Sequence, residues 1–230
     1  MLQRLIDLSI CLVAIIILSP LLVFTIIILK LTGEGEVFFV QERVGRNRHK
    51  FRLYKFATML KDSPNLGAGT ITLKGDPRIL PVGNILRATK FNELPQLFNV
   101  LMGDMSLVGP RPQEERCFAA YSPRIQERIT TVRPGLSGVG SVIFRGEDQL
   151  LNSGGNASDF YDTVIMPYKG QLEEWYVLHK SFFLYVKCLV ATVWVVLFPK
   201  SSACWALFEG IPAPPEELKT SLGFVMPADR

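Results

Sequence analysis

LIDLSICLVAIIILSPLLVFTIIIL, residues 5–29, decides how the rest of the chain is read. The stretch is apolar apart from Asp7, Ser9, Cys11, Ser19, Pro20 and Thr25, and it meets the roughly 20-residue length that a membrane-crossing helix needs. It is too long for the apolar region of a signal peptide, lacks a small-x-small cleavage site and runs on into basic sequence, so it is expected to stay in the mature protein. Pro20 lies near its midpoint, where it removes an amide donor and crowds the carbonyl of Ile16. That predicts a kink at Ser19–Pro20, with the Ser19 hydroxyl available to the freed carbonyl. A sharp kink lets the segment enter and leave by one face, with Arg4 and Lys30 on the same side; a mildly kinked spanning helix is the other arrangement. The basic run that follows, Arg43, Arg46, Arg48, Lys50, Arg52 and Lys55, places the remaining domain in the cytoplasm beside anionic lipid in both cases.

The 230 residues suffice for one domain plus a membrane element, and 48% of them are hydrophobic, as expected of an anchor on a polar body. A net charge of +4 suits an anionic partner without choosing between lipid headgroup, phosphate and nucleic acid. Nucleic acid is disfavoured because the basic residues abut the membrane segment and bring no recognition helix or stacking platform. Cys11, Cys117, Cys188 and Cys204 lie too far apart for a zinc or redox pair and read as buried apolar residues in a reducing compartment. His49 and His179 have no partner at triad or metal spacing.

Residues 36–60 alternate apolar and polar positions around a Gly-Arg-Asn turn, which predicts a hairpin followed by a helix. Residues 65–72 (NLGAGTIT) read as a loop and Gly75-Asp76-Pro77-Arg78 as a turn; Gly83 to Leu101 reads as a helix interrupted by Pro95, ending or restarting at Glu93–Leu94. The Gly-Pro-Arg-Pro corner at 109–112 presents Arg111, whose planar fork suits a phosphate. Residues 123–133 read as helix and 136–145 as a glycine-punctuated strand or loop. Trp175 to Leu197 reads as a helix docked at the membrane interface, or buried in the core. The tail after Glu209 reads as a poorly packed extension.

Ser19-Pro20 within the apolar helix, Gln41-x-Arg43-x-Gly45, Asp76-Pro77-Arg78, Asn92-Glu93-Leu94-Pro95-Gln96-Leu97, GDMSLVGPRP at 103–112 and Arg133-Pro134-Gly135 together closely resemble the bacterial sugar transferase family, the monotopic phosphoglycosyl transferases. The resemblance runs from about residue 1 to about residue 198. It implies a mainly α fold with a few short strands: a re-entrant membrane helix (1–32) broken at Ser19 and Pro20, a small cytoplasmic catalytic domain on interfacial amphipathic helices (33–200), and a C-terminal extension (201–230). It further implies transfer of a phosphosugar from a UDP-sugar to a polyprenyl (undecaprenyl) phosphate, with UMP released and Mg2+ required. The setting it implies is the cytoplasmic face of the bacterial inner membrane, among membrane lipid and downstream glycosyltransferases; the oligomeric state stays open, aromatic residues such as Trp194 and Trp205 permitting a homodimer. Nucleic acid is not an expected partner.

Carried over by motif, the acidic pair falls at Asn92–Glu93 and the phosphate-binding groups at Lys55, Arg78, Arg87, Arg111, Arg133 and Arg145. The metal ligands fall at Glu93 and Glu173. Relatives generally have Asp-Glu where this chain has Asn92-Glu93, Arg where it has Ala57 and Asp where it has Tyr185. An amide forms no acyl phosphate, so Asn92 marks either a silent form or a variant in which Glu93, or direct attack by the lipid phosphate, does the work. Glu93 is no simple substitute, since adjacent helical side chains point about 100° apart.

Overall fold

The computed structural model describes residues 2–66, 76–145, 157–198, 201 and 203–224. The loop expected at 65–72 falls mostly outside them, as does Gly75. By its own contacts the chain forms two compact units, residues 1–42 with 51–104 and residues 43–50 with 105–230. Helix dominates and the strands are few and short.

In the first unit, α1 (Leu2–Leu31) is one helix that runs through Pro20. Proline offers no N–H to the Ile16 carbonyl, and the Ser19 hydroxyl donates to that oxygen instead at 2.8 Å. Leu18, Leu22, Ile26 and Leu29 recur at helical spacing and pack against Val37, Phe56, Val82, Leu86, Phe91 and Leu94. The other faces of α1 carry Ile16, Ile17, Val23, Phe24 and Ile27, all exposed. Length and composition therefore suit a membrane crossing, and only one stripe of the helix is needed to hold the polar body. At its start Arg4 donates to the carbonyls of Val100 (2.7 Å) and Leu101 (3.1 Å), both in the last turn of a short helix, the Val100 carbonyl also accepting Gly103 N–H at 3.2 Å.

β1 (Phe38–Val44) and β2 (Lys50–Phe56) pair in a two-stranded sheet, the expected hairpin, with Phe38 stacked on Phe56 at 5.7 Å. No helix follows. The chain stays extended because Leu80 N–H donates to the Thr58 carbonyl and Leu60 N–H to the Arg78 carbonyl, so the returning segment uses those groups. α2 (Pro81–Ala88) then ends well before Pro95: Lys90 takes a left-handed conformation (φ 62°), a 3-10 turn covers Phe91–Glu93, and α3 (Gln96–Met102) restarts after Pro95. The break comes earlier than expected because it is made by a non-glycine residue in αL, a geometry with no composition signal.

Asn99 on α3 is fully buried. Its Oδ1 accepts Tyr54 N–H at 3.1 Å, while its Nδ2 donates to the Arg52 carbonyl at 2.7 Å and to Asp104 Oδ2 at 3.2 Å. One amide thus completes the backbone of β2 beside Lys55. Asn99→Leu leaves a buried N–H and a buried carbonyl unmet, at about 1–3 kcal/mol each. Chemical denaturation should show a loss of about 3 kcal/mol.

In the second unit, β3 (Ser106–Val108) pairs in parallel with β4 (Gly135–Ser137), Ser106 opposite Gly135 and Val108 opposite Ser137. α4 (Glu115–Ala119) and α5 (Pro123–Ile129) carry Cys117, Phe118, Ile125 and Ile129 into a core with Val44, Tyr121 and Met166. The helix expected over 123–133 stops at Ile129. Within 136–145 a helix, α6 (Val139–Ile143), replaces the expected strand or loop; backbone extended through Gly138 turns directly into it. Beyond residue 156 come α7 (Ala157–Phe160), a π turn at Tyr161–Ile165 and α8 (Met166–Leu178).

The apolar stretch 175–197 is divided between α8 and α9 (Phe182–Leu197), because Ser181 starts a new helix by accepting Leu184 N–H at 3.1 Å. α9 buries Leu184, Tyr185, Cys188, Ala191 and Val195 and exposes Phe183, Val190, Val193 and Leu197. The core environment thus holds for one side of it, and the other side is apolar and exposed. α10 (Ala203–Leu207) and Phe208 precede the expected tail, and there Cys204, Trp205 and Phe208 are buried. Past Glu209, α11 (Glu216–Lys219) buries Leu218 and Tyr168 Oη donates to the Pro212 carbonyl at 2.9 Å, so the described part of the tail is anchored at these points.

Candidate active site

The expected site residues divide between the units. Lys55, Arg78, Arg87, Asn92 and Glu93 belong to the first, Arg111, Arg133, Arg145 and Glu173 to the second. Each group is built locally.

In the first unit, the 3-10 turn that follows Lys90 presents Asn92 and Glu93 in succession. Lys55 on β2 meets Glu93, Nζ to Oε1 3.7 Å, with both side chains less than a fifth exposed. Asn92 is buried and among the described residues its Oδ1 finds no hydrogen-bond partner; one helical turn on, the buried Gln96 Nε2 finds none among them either. A buried acceptor and a buried donor left open in one short segment are what a site awaiting a polar ligand shows. Arg87, half-buried on α2, points Nη1 at Met59 Sδ, 3.8 Å away. Arg78 is committed differently. Its Nε and Nη2 bind the two Asp76 oxygens at 2.9 and 2.6 Å, and Nη1 binds the Ser63 and Leu66 carbonyls at 2.7 and 2.6 Å. Buried in this way, the Asp76–Arg78 pair ties residues 76–78 to the carbonyls of Ser63 and Leu66.

In the second unit the two arginine corners, Pro110-Arg111 and Arg133-Pro134, with their arginines 22 positions apart, become neighbours. Ser106 N–H donates to the Pro134 carbonyl, Gly109 N–H to Ser137 and Gly135 N–H to Pro110, all within 2.9 Å. Arg111, Arg133 and Arg145 are half-buried. Glu173 on α8 is 2% exposed, and its Oε1 accepts Arg111 N–H at 3.2 Å. Burial pushes the Glu173 carboxyl up to about 7, against the pull of the Arg111 amide and Lys169. The folded state therefore favours the protonated acid: this contribution to stability is complete below pH about 4.5 and is lost as pH rises through about 7, some 3 kcal/mol in all. Glu173→Gln should flatten the fall in unfolding free energy between those limits.

Magnesium takes hard oxygen ligands, often one or two carboxylates with phosphate oxygens and water. Glu93 fits that description, a partly open carboxylate beside the unmet Asn92 Oδ1. Glu173 does not, since it is enclosed and has one oxygen already on a backbone N–H. Among the described residues no three His, Cys, Asp or Glu side chains gather as a metal cluster.

Asn99, Lys169 and Tyr176 went unread in the sequence. Asn99 had no signal beyond its place in a helix; Lys169, Glu173 and Tyr176, at i, i+4 and i+7 of α8, share one face.

A family model described as bacterial sugar transferase matches residues 1–199. The UDP-N-acetylgalactosamine-undecaprenyl-phosphate N-acetylgalactosaminephosphotransferase of Aeromonas hydrophila is 36% identical over 197 residues, 85% of this chain and 43% of that protein. An uncharacterized sugar transferase of Bacillus subtilis, EpsL, is 36% identical over 196 residues, 85% of this chain and 87% of its own. The undecaprenyl-phosphate glucose phosphotransferase of Komagataeibacter xylinus is 38% identical over 141 residues, 59% of this chain and 26% of that protein. The chain thus spans less than half of the Aeromonas and Komagataeibacter proteins and most of the Bacillus one.

Proposed function

From the premise that the chain belongs to the bacterial sugar transferase family, we propose that it transfers a phosphosugar from a UDP-sugar to undecaprenyl phosphate at the cytoplasmic face of the bacterial inner membrane. UMP is released, and the step opens the synthesis of an exopolysaccharide or glycoconjugate. The names of the Aeromonas and Komagataeibacter relatives support this reaction class. The long apolar α1 supports a membrane setting; entry and exit by one face at Ser19–Pro20 is part of the proposal.

The observation that carries the reading is the Lys55–Glu93 pair beside the open amides of Asn92 and Gln96. Transfer breaks the bond between the sugar-bearing phosphorus and the oxygen bridging to UMP. UMP departs with that oxygen, and an oxygen of the lipid phosphate finally forms the new diphosphate link. Asn92 carries no nucleophilic oxygen of the kind an acyl phosphate needs. Either the Glu93 carboxylate makes the first bond to phosphorus, or the lipid phosphate attacks directly while Glu93 serves the metal. Beside the Glu93 pair, Lys55 and Arg87 offset the diphosphate charge. Glu93, with the Asn92 amide oxygen, would hold Mg2+, which supplies further neutralisation when bound.

Asn92 itself favours a second reading, a silent member that binds polyprenyl phosphate or partner glycosyltransferases without turnover. The test is UMP release across a panel of UDP-sugars with polyprenyl phosphate and magnesium, comparing the chain with Asn92→Asp. Release by the unaltered chain supports the transferase; release by Asn92→Asp alone supports the silent form.

A further inference from the structure

α8 turns three polar side chains into the interior along one face. The Lys169 ammonium lies over the rings of Phe144 (5.1 Å) and Tyr161 (5.4 Å), Glu173 accepts the Arg111 N–H, and Tyr176 Oη donates to the Val108 carbonyl at 3.3 Å. All three are at most 4% exposed. Their targets bracket one feature: Val108 and Arg111 flank Gly109-Pro110, and Phe144 ends the helix that follows β4.

The backbone has been cleared to admit the carboxyl. A Cβ on Gly140 would stand 2.4 Å from Glu173 Oε1, and one on Gly138 would stand 2.3 Å from the Gly109 carbonyl oxygen and 3.8 Å from Glu173 Oε2. Real Cβ atoms do not approach so closely: glycine at 140 is what lets the Glu173 carboxyl reach Arg111, while glycine at 138 lets the backbone pass against the Gly109 carbonyl and leaves Glu173 at ordinary contact distance.

We propose that Glu173 is a positioning residue: by binding the Arg111 amide through the gap left by Gly140, it fixes the corner from which the Arg111 guanidinium addresses phosphate. This rests on the reading of Arg111 as a phosphate contact, but the pin itself does not. What the role needs is an acceptor oxygen at the reach of a glutamate, and no negative charge. Glutamine keeps the acceptor at the same reach and loses the charge; aspartate keeps the charge and is one methylene too short. A metal ligand would rank the two in the opposite order.

The experiment compares Glu173→Gln and Glu173→Asp in the full chain in detergent. Amide exchange over the peptide containing Arg111, UMP affinity by calorimetry, and the magnesium concentration for half-maximal UMP release are all measured. The expected result is protection and UMP affinity close to the parent in Glu173→Gln, with exchange at Arg111 at least tenfold faster and UMP bound at least fivefold more weakly in Glu173→Asp. Half-maximal magnesium stays the same in both. Unchanged exchange in Glu173→Asp, or a tenfold higher magnesium requirement confined to Glu173→Gln, overturns the proposal. If UMP is never released, exchange still decides whether the pin exists, and that failure falls on the proposed function alone.

Discussion

Glu93→Gln should lower UMP release by on the order of 1,000-fold or more while leaving the fold intact. Glutamine is nearly isosteric, and Glu93 is only partly buried in its 3-10 turn, so packing changes little. What is lost is the one carboxylate of the pair at positions 92 and 93. With Asn92 an amide, no neighbouring carboxylate can make the bond to phosphorus or bring the metal to the diphosphate, and either role supplies several kcal/mol of transition-state stabilisation. Lys55→Ala removes a charge that other cations share, and its effect should be smaller, roughly 10- to 100-fold. Assays of UMP at matched melting temperature make the comparison; full activity in Glu93→Gln would remove Glu93 from the chemistry.

Gly135→Ala should abolish folding of the second unit. An added Cβ would lie 2.1 Å from Gly109 N, 2.3 Å from the Ser137 carbonyl oxygen and 2.5 Å from the Gly109 carbonyl oxygen. All three are backbone atoms, so no side chain can rotate aside, and relief requires pulling β3 from β4. The Ser106–Pro134 and Gly109–Ser137 hydrogen bonds go with that ladder. A loss above about 4 kcal/mol places the substitution among the exceptional ones. Thermal unfolding of the purified protein, or failure to recover it, is the readout, and a cooperative transition within about 2 °C of the parent would contradict the packing described.

Much of this was legible because local chemistry and tertiary structure agree. The apolar run 5–29 had the length of a membrane helix whatever packed on it, and alternation at 36–56 around a Gly-Arg-Asn turn left little but a hairpin. Ser19 relieved the Pro20 gap as the spacing of hydroxyl and carbonyl suggested. What sequence could not convey came from long-range backbone pairing. The chain past Phe56 stays extended because residues 78–80 return to it. The helix before Asn92 ends at a left-handed lysine. Asp76-Pro77-Arg78 read either as a turn with an ion pair or as a phosphate contact; the ion pair is present and buried, with two carbonyls completing the enclosure. Glu173 looked like a metal ligand because its type and motif position are known to sequence and its depth is not. The prolines of 212–215 signalled an extension, while Trp205, Phe208 and Leu218 on either side supplied the anchors.

The most direct measurement is the release of UMP by the unaltered chain in bilayer discs containing undecaprenyl phosphate and magnesium, with each UDP-sugar in turn. The account predicts that one sugar gives UMP and lipid-linked phosphosugar in equal amounts, and that omitting the lipid phosphate stops turnover. Binding of undecaprenyl phosphate with no UMP from any donor, restored by Asn92→Asp, would contradict it.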